Sequence, residues 1–289
     1  GGNTRLDLQQ HAGPFSVHWF NPREGGELKL GSKPHVWGPG LVEIGEPLAD
    51  VGQDWVALVR ATEPVFVARD DGALVVEAEH YERQERNDLR SWVTLEKSGE
   101  LPEMEGAGDP KTWVQSILSA AKFASQSKLI RLLPDTRRTH DDKLIRNENF
   151  SPQPGKMAVL SYRLRFDDPG RYYVWVRAFS TGTEDNGLHV GFNGDWPEHG
   201  QRMQWCKGKN SWRWECAQRT EQKHCGEPME IYLDIPKAGV HTVQFSMRED
   251  GFAFDQFLMT RDREYRPQGA ERGETLADNP RGKVPTADH

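Results

Sequence analysis

Short segments in which apolar and polar residues alternate dominate the second half of the chain. Alternation at every second position places the apolar side chains on one face of a β-strand. The pattern predicts strands at 159–166, 172–179, 188–192, 231–235, 240–247 and 252–259. Turn sequences separate them, and we expect the last two strands to form a hairpin about Glu249-Asp250-Gly251. Short antiparallel strands without intervening helices are typical of a β-sandwich or jelly roll.

The first 66 residues carry weaker strand signals. Alternation predicts a strand at 15–20, which the turn-forming residues 21–26 follow, and a short apolar run predicts a buried strand at 54–59. A segment of this length buries little apolar surface by itself. We therefore expect residues 1–66 to be the remainder of a domain whose first strands are missing.

The remaining chain divides into residues 67–265, the jelly-roll module, and residues 266–289, a polar tail rich in Gly and Pro. The tail predicts an extended linker, with a packed irregular segment as the alternative. Helical spacing of Trp113, Ile117, Leu118 and Ala121 predicts one short helix. The predicted fold class is all-β: a small, incomplete β-sandwich plus a β jelly-roll sandwich with one short helix.

Charge and hydropathy exclude some classes of function. The formal net charge is −7, whereas a nucleic-acid-binding protein needs a basic face for phosphate contacts. Apolar runs are all too short to cross a membrane. The expected partner is therefore neither nucleic acid nor a lipid bilayer.

The ten Trp residues suggest a partner, because an indole ring can stack on the apolar face of a sugar. The densest cluster lies between 196 and 214. Ring stacking and polar contacts there predict a carbohydrate-binding site made by Trp196, Trp205, Trp212, Trp214, Gln204, Arg202 and Asn210. Arg and Lys in this segment would also suit carboxylated or sulfated glycans. The alternative is that these rings only cover the sandwich core.

Three Cys residues lie close together in the same segment. In a secreted protein, the simplest arrangement of three Cys residues is one disulfide and one free thiol. A disulfide between Cys206 and Cys216 would close a hairpin, and Cys216–Cys225 is the rival pairing. The absence of a CxxC pattern argues against a zinc site.

Two resemblances refine these expectations. The run RLDLQQHAGPFSVHWFNPREGGEL with GQDWVALV resembles the collagen-binding-type β-sandwich that follows the catalytic barrel of several secreted glycoside hydrolases. The ordered segments VVEAEHY, PGRYYVWVRAFS, NGLHVGFNG, AGVHTVQFSMRED and FAFDQFLMT resemble family 6-like carbohydrate-binding modules, which are β jelly rolls. The resemblances imply a catalytic barrel upstream in the parent chain and a secreted or periplasmic, bacterial protein.

The second resemblance also implies a structural calcium site made by Glu77, Glu79 and Asp255. Period two places Glu77 and Glu79 on one face of the predicted strand, where their charges repel unless a cation or a basic partner lies between them. Calcium prefers such hard oxygen ligands. Ordinary surface acids or Arg-paired acids are the alternative.

Catalysis is the competing class of function. The sequence contains no GxSxG, HExxH or phosphate-binding loop. The loop 135–142, with His140, is its best polar candidate for chemistry. We therefore expect a non-catalytic region that binds a polysaccharide or oligosaccharide. A jelly-roll hydrolase or lyase and a ligand-free spacer are the alternatives.

Overall fold

The structure is a computed structural model of the 289-residue chain, and it describes residues 4–8, 13–85, 89–96, 117, 119–271 and 273–277. The chain forms two compact units, Gly1–Pro64 and Val65–His289. Both units are built from strands, which confirms the predicted all-β class.

The first unit contains a two-stranded and a three-stranded sheet. Its strands are β1 (Arg5–Asp7), β2 (Gly13–Phe20), β3 (Lys29–Gly38), β4 (Leu41–Glu43) and β5 (Val56–Ala61). β1 pairs with β4, and the other sheet has the order β3-β2-β5. Its small core comprises Leu8, Phe15, Val17, Trp19, Val36 and Ile44. The alternating strand predicted at 15–20 lies within β2, at the centre of its sheet.

The second unit is a β-sandwich of jelly-roll type. Its strands are β6 (Phe66–Val67), β7 (Leu74–Glu77), β8 (Arg83–Glu85), β9 (Ser91–Glu96), β10 (Lys128–Leu133), β11 (Val159–Phe166), β12 (Gly170–Phe179), β13 (Gly187–Phe192), β14 (Met203–Gln204), β15 (Trp212–Glu215), β16 (Ala217–Gln218), β17 (Glu227–Pro228), β18 (Tyr232–Ile235), β19 (Gly239–Met247), β20 (Ala253–Thr260) and β21 (Thr275–Leu276). Short 3-10 turns lie at Ser125–Ser127 and Glu198–Gly200.

These strands form two sheets. A seven-stranded sheet has the order β15-β12-β20-β10-β9, with β18 beside β12 and β7 beside β20. A nine-stranded sheet has the order β17-β16-β14-β13-β19-β11-β6-β21, with β8 beside β11. Aromatic rings fill the core between them: Phe245 lies 4.8 Å from Phe257 and 5.6 Å from Phe254, between ring centroids.

The predicted hairpin about Glu249-Asp250-Gly251 is wrong. β19 belongs to the nine-stranded sheet and β20 to the seven-stranded sheet. The turn between them therefore crosses from one sheet to the other. This crossing carries Arg248 and Glu249 to the rim of the sandwich, where their side chains are still buried.

Two further expectations meet the structure only in part. Ile117 and residues 119–121 are helical, whereas Trp113 and Leu118 of the predicted helix lie outside the described residues. In the tail, Thr275 and Leu276 form β21, which pairs with β6. The described part of the tail is therefore packed, as the alternative interpretation expected.

Candidate functional site

A cleft of about 280 Å³ lies in the larger unit, where loops that are distant in sequence converge. Its walls are Arg137, His140, Leu144, Phe150, Thr183, Glu184, Asn186, Gln204, Cys206, Lys209, Arg219, His224, Arg248 and Glu249. The lining contains four permanently cationic side chains and two carboxylates.

Arg248 and Glu249 are fixed by hydrogen bonds at one side of the cleft. Arg248 Nη1 donates to Glu249 Oε1 at 2.6 Å and to Gln204 Oε1 at 3.2 Å. Glu249 Oε2 accepts the backbone N–H of Asn186 at 2.9 Å. A Cβ at Gly187 would lie 2.4 Å from Arg248 Nη1, so only glycine leaves room for the guanidinium there. These contacts hold the buried ion pair in one geometry.

The loop 135–142 forms the facing wall around Glu184, whose side chain is buried. Arg137 forms an ion pair with Glu184, and His140 Nδ1 lies 2.5 Å from Glu184 Oε1. The Thr183 hydroxyl donates to the same carboxylate at 3.0 Å. His140 itself is largely exposed. The polar loop that the sequence suggested as a candidate for chemistry therefore does line the cleft.

The disulfide joins Cys206 to Cys225, with their Cα atoms 5.3 Å apart. The predicted Cys206–Cys216 pairing and its rival Cys216–Cys225 are both wrong. Cys216 lies in the core, where its thiol donates to the carbonyl of Ile231 at 3.1 Å and burial raises its pKa to about 12. The observed bridge fixes the wall of the cleft that contains Cys206 and His224.

Lys209 and Arg219 are the two cleft cations that have no acidic partner within ion-pair distance among the residues described. Lys209 Nζ donates to the hydroxyl of Ser180 at 2.7 Å and to the carbonyl of Trp205 at 3.1 Å. Burial lowers the pKa of Lys209. Burial, followed by the neighbouring charge of Arg248, lowers the pKa of Arg219. The nearby charges of Asp185 and Glu249 for Lys209, and of Glu249 for Arg219, offset only part of this effect.

The predicted Trp cluster does not form one platform. Trp205 is only 1% exposed and packs 4.9 Å from Phe252, between ring centroids, so its ring cannot stack on a glycan. The prediction is wrong for this residue, because the strand β14 just before it turns the ring into the core. Trp196 covers Gly155 and Gly191, whose added Cβ atoms would lie within 3 Å of its ring.

Trp212 and Trp214 share one face of β15, as their spacing predicts. Trp212 packs 5.5 Å from Phe179, between ring centroids, and its indole N–H donates to the carbonyl of Ala120 at 3.0 Å. The indole N–H of Trp214 donates to the carbonyl of Gly269 at 2.7 Å. Both rings remain half-buried, and glycan contact by Trp196, Trp212 and Trp214 stays a prediction.

The three polar residues of the predicted carbohydrate-binding site lie at different places in the structure. Gln204 lines the cleft and donates to the side-chain oxygen of Asn186. Arg202 forms an ion pair with Glu198 and does not line the cleft. Asn210 is exposed at a turn, with a φ of 57° and its backbone N–H bonded to Ser180.

The three acids of the predicted calcium site lie away from the cleft lining, near the C-terminal end of β7 and the N-terminal end of β20. β7 ends at Glu77, so Glu79 lies in the following turn and not on the same strand. Glu77 Oε1 accepts hydrogen bonds from Ser125 and Gln256. Asp255 Oδ2 accepts the backbone N–H of Ser125 at 2.8 Å and pairs with Arg177.

Four carboxylate oxygens in this region are shielded from solvent and accept no hydrogen bond from the described residues: Glu77 Oε2, both oxygens of Glu79, and Asp255 Oδ1. Burial raises the pKa of Glu79 to about 8 and that of Asp255 to about 7. Among the residues described, however, no three acidic, His or Cys side chains meet in the geometry of a metal site. The donor chemistry suits a hard cation, but the carboxylates alone do not enclose one.

Several cleft residues carried no signal in the sequence. Glu184, Arg219, Arg248 and Phe150 belong to separate loops, and only the folded sandwich brings them together. The sequence pointed to this cleft only through Gln204 and through the acid-and-base-rich loop that contains Arg137 and His140.

Sequence comparison identifies a similar protein of Formosa agariphila, described as uncharacterized protein P23. It is 52% identical over 223 residues, which cover 77% of this chain and 51% of that protein. The chain therefore spans about half the length of this relative. No protein-family model matches the chain.

Structure comparison finds carbohydrate-binding modules and glycoside hydrolases. A family 35 carbohydrate-binding module from Clostridium thermocellum has a TM-score of 0.34 and 15% identity, over 64% of this chain and 97% of that one. An Arthrobacter globiformis isomalto-dextranase has a TM-score of 0.37 and 8% identity, over 89% of this chain and 32% of that one. With these scores, neither match establishes a ligand for this chain.

In the described part of the chain, no helix has the length and apolar character needed to cross a membrane.

Proposed function

We propose that this chain is a non-catalytic carbohydrate-binding region and that the cleft of the larger unit holds the glycan. The observation that carries the proposal is the cleft lining, in which buried, mutually bonded polar side chains stand beside an aromatic ring. Sugar recognition requires fixed donors and acceptors for the hydroxyl groups and an apolar surface for the ring face. The cleft supplies both.

Each element of the lining has a role in that recognition. Gln204, Asn186 and Glu249 provide amide and carboxylate groups that their own hydrogen bonds hold in place. Phe150 provides the ring, and the guanidinium of Arg248 lies 5.3 Å from its centroid. A preorganised site loses little conformational entropy on binding. The volume is at the lower end for ligand pockets, which favours a chain end or a short stretch of sugars.

Affinity electrophoresis against neutral, acidic and sulfated polysaccharides tests the proposal. We expect retardation by at least one class, and its loss in Phe150→Ala. The matched control is Phe123→Ala, because Phe123 is 66% exposed and lies outside the cleft. Loss of retardation in Trp212→Ala or Trp214→Ala, with Phe150→Ala unaffected, would instead place the glycan on β15.

The same panel separates the competing functions. Release of oligosaccharide products would show a hydrolase or lyase and would overturn the non-catalytic assignment. Lack of retardation by every glycan would favour a ligand-free structural spacer. The His140–Glu184 pair is the group to replace first if products form, because the exposed imidazole of His140 lies beside the carboxylate of Glu184 in the cleft.

We further propose that the parent protein is a secreted glycosidase with a catalytic barrel upstream of this region. The disulfide supports an oxidising compartment. The resemblance of residues 5–28 to glycosidase companion domains supports the barrel. A binding region tethered to a catalytic domain raises the local concentration of substrate. Expression of the longer protein, with assay of reducing ends released from the retarding glycan, tests this.

We also propose a structural calcium ion held by Glu77, Glu79 and Asp255 together with backbone oxygens. The shielded, unbonded carboxylate oxygens support it, since such atoms are costly to bury without a partner. Arg177 is the competing partner for Asp255 in this structure.

A further inference from the structure

The cationic side chains of the cleft outnumber the groups that neutralise them. Both lining carboxylates are already engaged: Glu184 by Arg137 and His140, and Glu249 by Arg248. Lys209 and Arg219 remain without acidic partners among the residues described. The excess is local, because the chain as a whole has a formal net charge of −7.

We propose that the cleft selects glycans that carry anionic groups, as carboxylates or sulfate esters, and that Lys209 and Arg219 are the residues that recognise the charge. This inference rests on the proposed function, because it names the ligand class of the same cleft. It extends the binding proposal from hydroxyl recognition to charge recognition.

The contacts of Lys209 leave it able to bind an anion. An ammonium group has three N–H donors. Two of them are directed to Ser180 and to the carbonyl of Trp205, which are neutral acceptors. One donor and the full positive charge therefore remain for a ligand.

Arg219 brings a second cation to the same surface. Its side chain lies near Arg248, which already forms an ion pair with Glu249. A guanidinium can bind a carboxylate or a sulfate with two parallel hydrogen bonds, which gives direction as well as charge. An anion bound in the cleft near Lys209 and Arg219 would favour their charged forms and so offset the burial that lowers the pKa of each.

His224 and the disulfide strengthen the assignment. His224 lines the cleft next to Cys225, and Cys206 lies three residues before Lys209. The bridge therefore fixes the two segments that carry these donors. A donor held in place by the bridge loses less conformational entropy on binding than a flexible one.

Isothermal titration with matched glycan pairs tests the inference. The probes are oligoglucuronate and its carboxyl-reduced product, and a sulfated galactan oligosaccharide and its desulfated product. We expect removal of the anionic group to weaken binding at least tenfold in one pair. That pair tells whether the carboxylate or the sulfate is recognised. Affinity for the charged member should also fall as salt is raised.

Variants assign the charge to residues. Arg219→Gln and Lys209→Gln should each weaken binding of the charged glycan about tenfold, while Arg219→Lys should retain part of the affinity. The matched control is Arg165→Gln, since Arg165 is exposed on β11 and pairs with Asp167. A thermal melt of each variant shows whether the fold is kept.

The outcomes separate this inference from the proposal on which it rests. Equal affinity for the charged and neutral members, with loss of binding in Phe150→Ala, would overturn charge selection and leave glycan binding in place. Unchanged binding in both Arg219→Gln and Lys209→Gln would also overturn it. Failure of every probe to bind would contradict the proposed function itself.

Discussion

The four Trp residues between 196 and 214 have very different surroundings, although they lie within one short segment. Trp205 fills the core beside Phe252, whereas Trp214 is half-buried and bonded through its indole N–H to Gly269. Residue type and spacing do not distinguish these cases, because they do not tell which way a short strand such as β14 turns its neighbours. A high Trp content therefore could not tell whether a given ring contacts a ligand or the core.

This difference predicts unequal costs of truncation. Trp205→Ala leaves a large cavity and should lower the free energy of unfolding by about 3–5 kcal/mol. Trp214→Ala should cost about 1 kcal/mol, since it loses mainly one hydrogen bond and partial packing. Urea unfolding followed by far-UV circular dichroism measures both. Equal costs for the two variants would contradict the burial of Trp205.

His189 predicts a pH dependence of stability. Its ring is fully buried, with Nδ1 accepting the backbone N–H of Arg202 and Nε2 bonded to the carbonyl of Ser151. Burial lowers the pKa of His189 to about 3. The native state therefore binds fewer protons than the unfolded state between about pH 6.5 and 3, so stability should fall as the pH falls through that range.

The steepest contribution from one such group is about 1.4 kcal/mol per pH unit. The difference in unfolding free energy between the wild type and His189→Gln, measured from pH 7 to pH 4, isolates it from the carboxylates that titrate in the same range. His224→Gln is the control, because His224 is exposed. A difference that does not change with pH would show that His189 can be protonated in the native state.

At the scale of single elements, the sequence predicted the positions of the strands well. Alternation located β11 at Val159–Phe166 as observed, and it located β12, β13 and β19 to within two residues at each end. The pairing of β19 with β20 was wrong, because alternation marks a buried face but not the sheet to which a strand belongs. Pairing depends on contacts across the sandwich, which local patterns do not contain.

The disulfide connects two irregular segments of this sheet-rich unit. Cys206 and Cys225 are 19 residues apart, and the chain-entropy model gives such a crosslink a value of about 3 kcal/mol. We expect the double variant Cys206→Ser, Cys225→Ser to lose stability of this order and to bind glycan more weakly, because Lys209 and His224 lose their anchor. Cys216→Ser tests the pairing, since it removes a thiol without removing the crosslink.

Mass spectrometry of a non-reduced digest would show the Cys206–Cys225 peptide in the wild type and in Cys216→Ser. A bridge that includes Cys216 would contradict the observed pairing. Equal glycan affinity before and after reduction would show that the cleft wall is held by packing alone.

At the scale of the whole molecule, the cleft is assembled from residues between 137 and 249, and its local charge is opposite in sign to that of the chain. Net charge argued against a nucleic-acid partner but could not reveal a local cationic site. The calcium prediction did not come from an average over the chain. It came from the resemblance of two segments, one in the first strand of the predicted module and one in its last. Those strands, β7 and β20, are in fact neighbours, with Glu77 opposite Gln256.

A calcium ion at this position would join the two ends of the module and raise its stability. Calcium at one hundred times its dissociation constant should add about 2.7 kcal/mol, measured as a rise in melting temperature that EDTA reverses. The pKa of Glu79 is raised to about 8, so the calcium-free native state holds this proton and its stability falls as pH rises from about 4.5 to 8. Calcium must displace the proton, and its effect should therefore be larger at pH 8 than at pH 6.

Glu79→Gln should abolish the calcium effect and stabilise the calcium-free protein at pH 8, whereas Glu221→Gln, at an exposed acid, should do neither. Identical melting with calcium and with EDTA at both pH values would contradict the calcium site and leave Arg177 as the partner of Asp255.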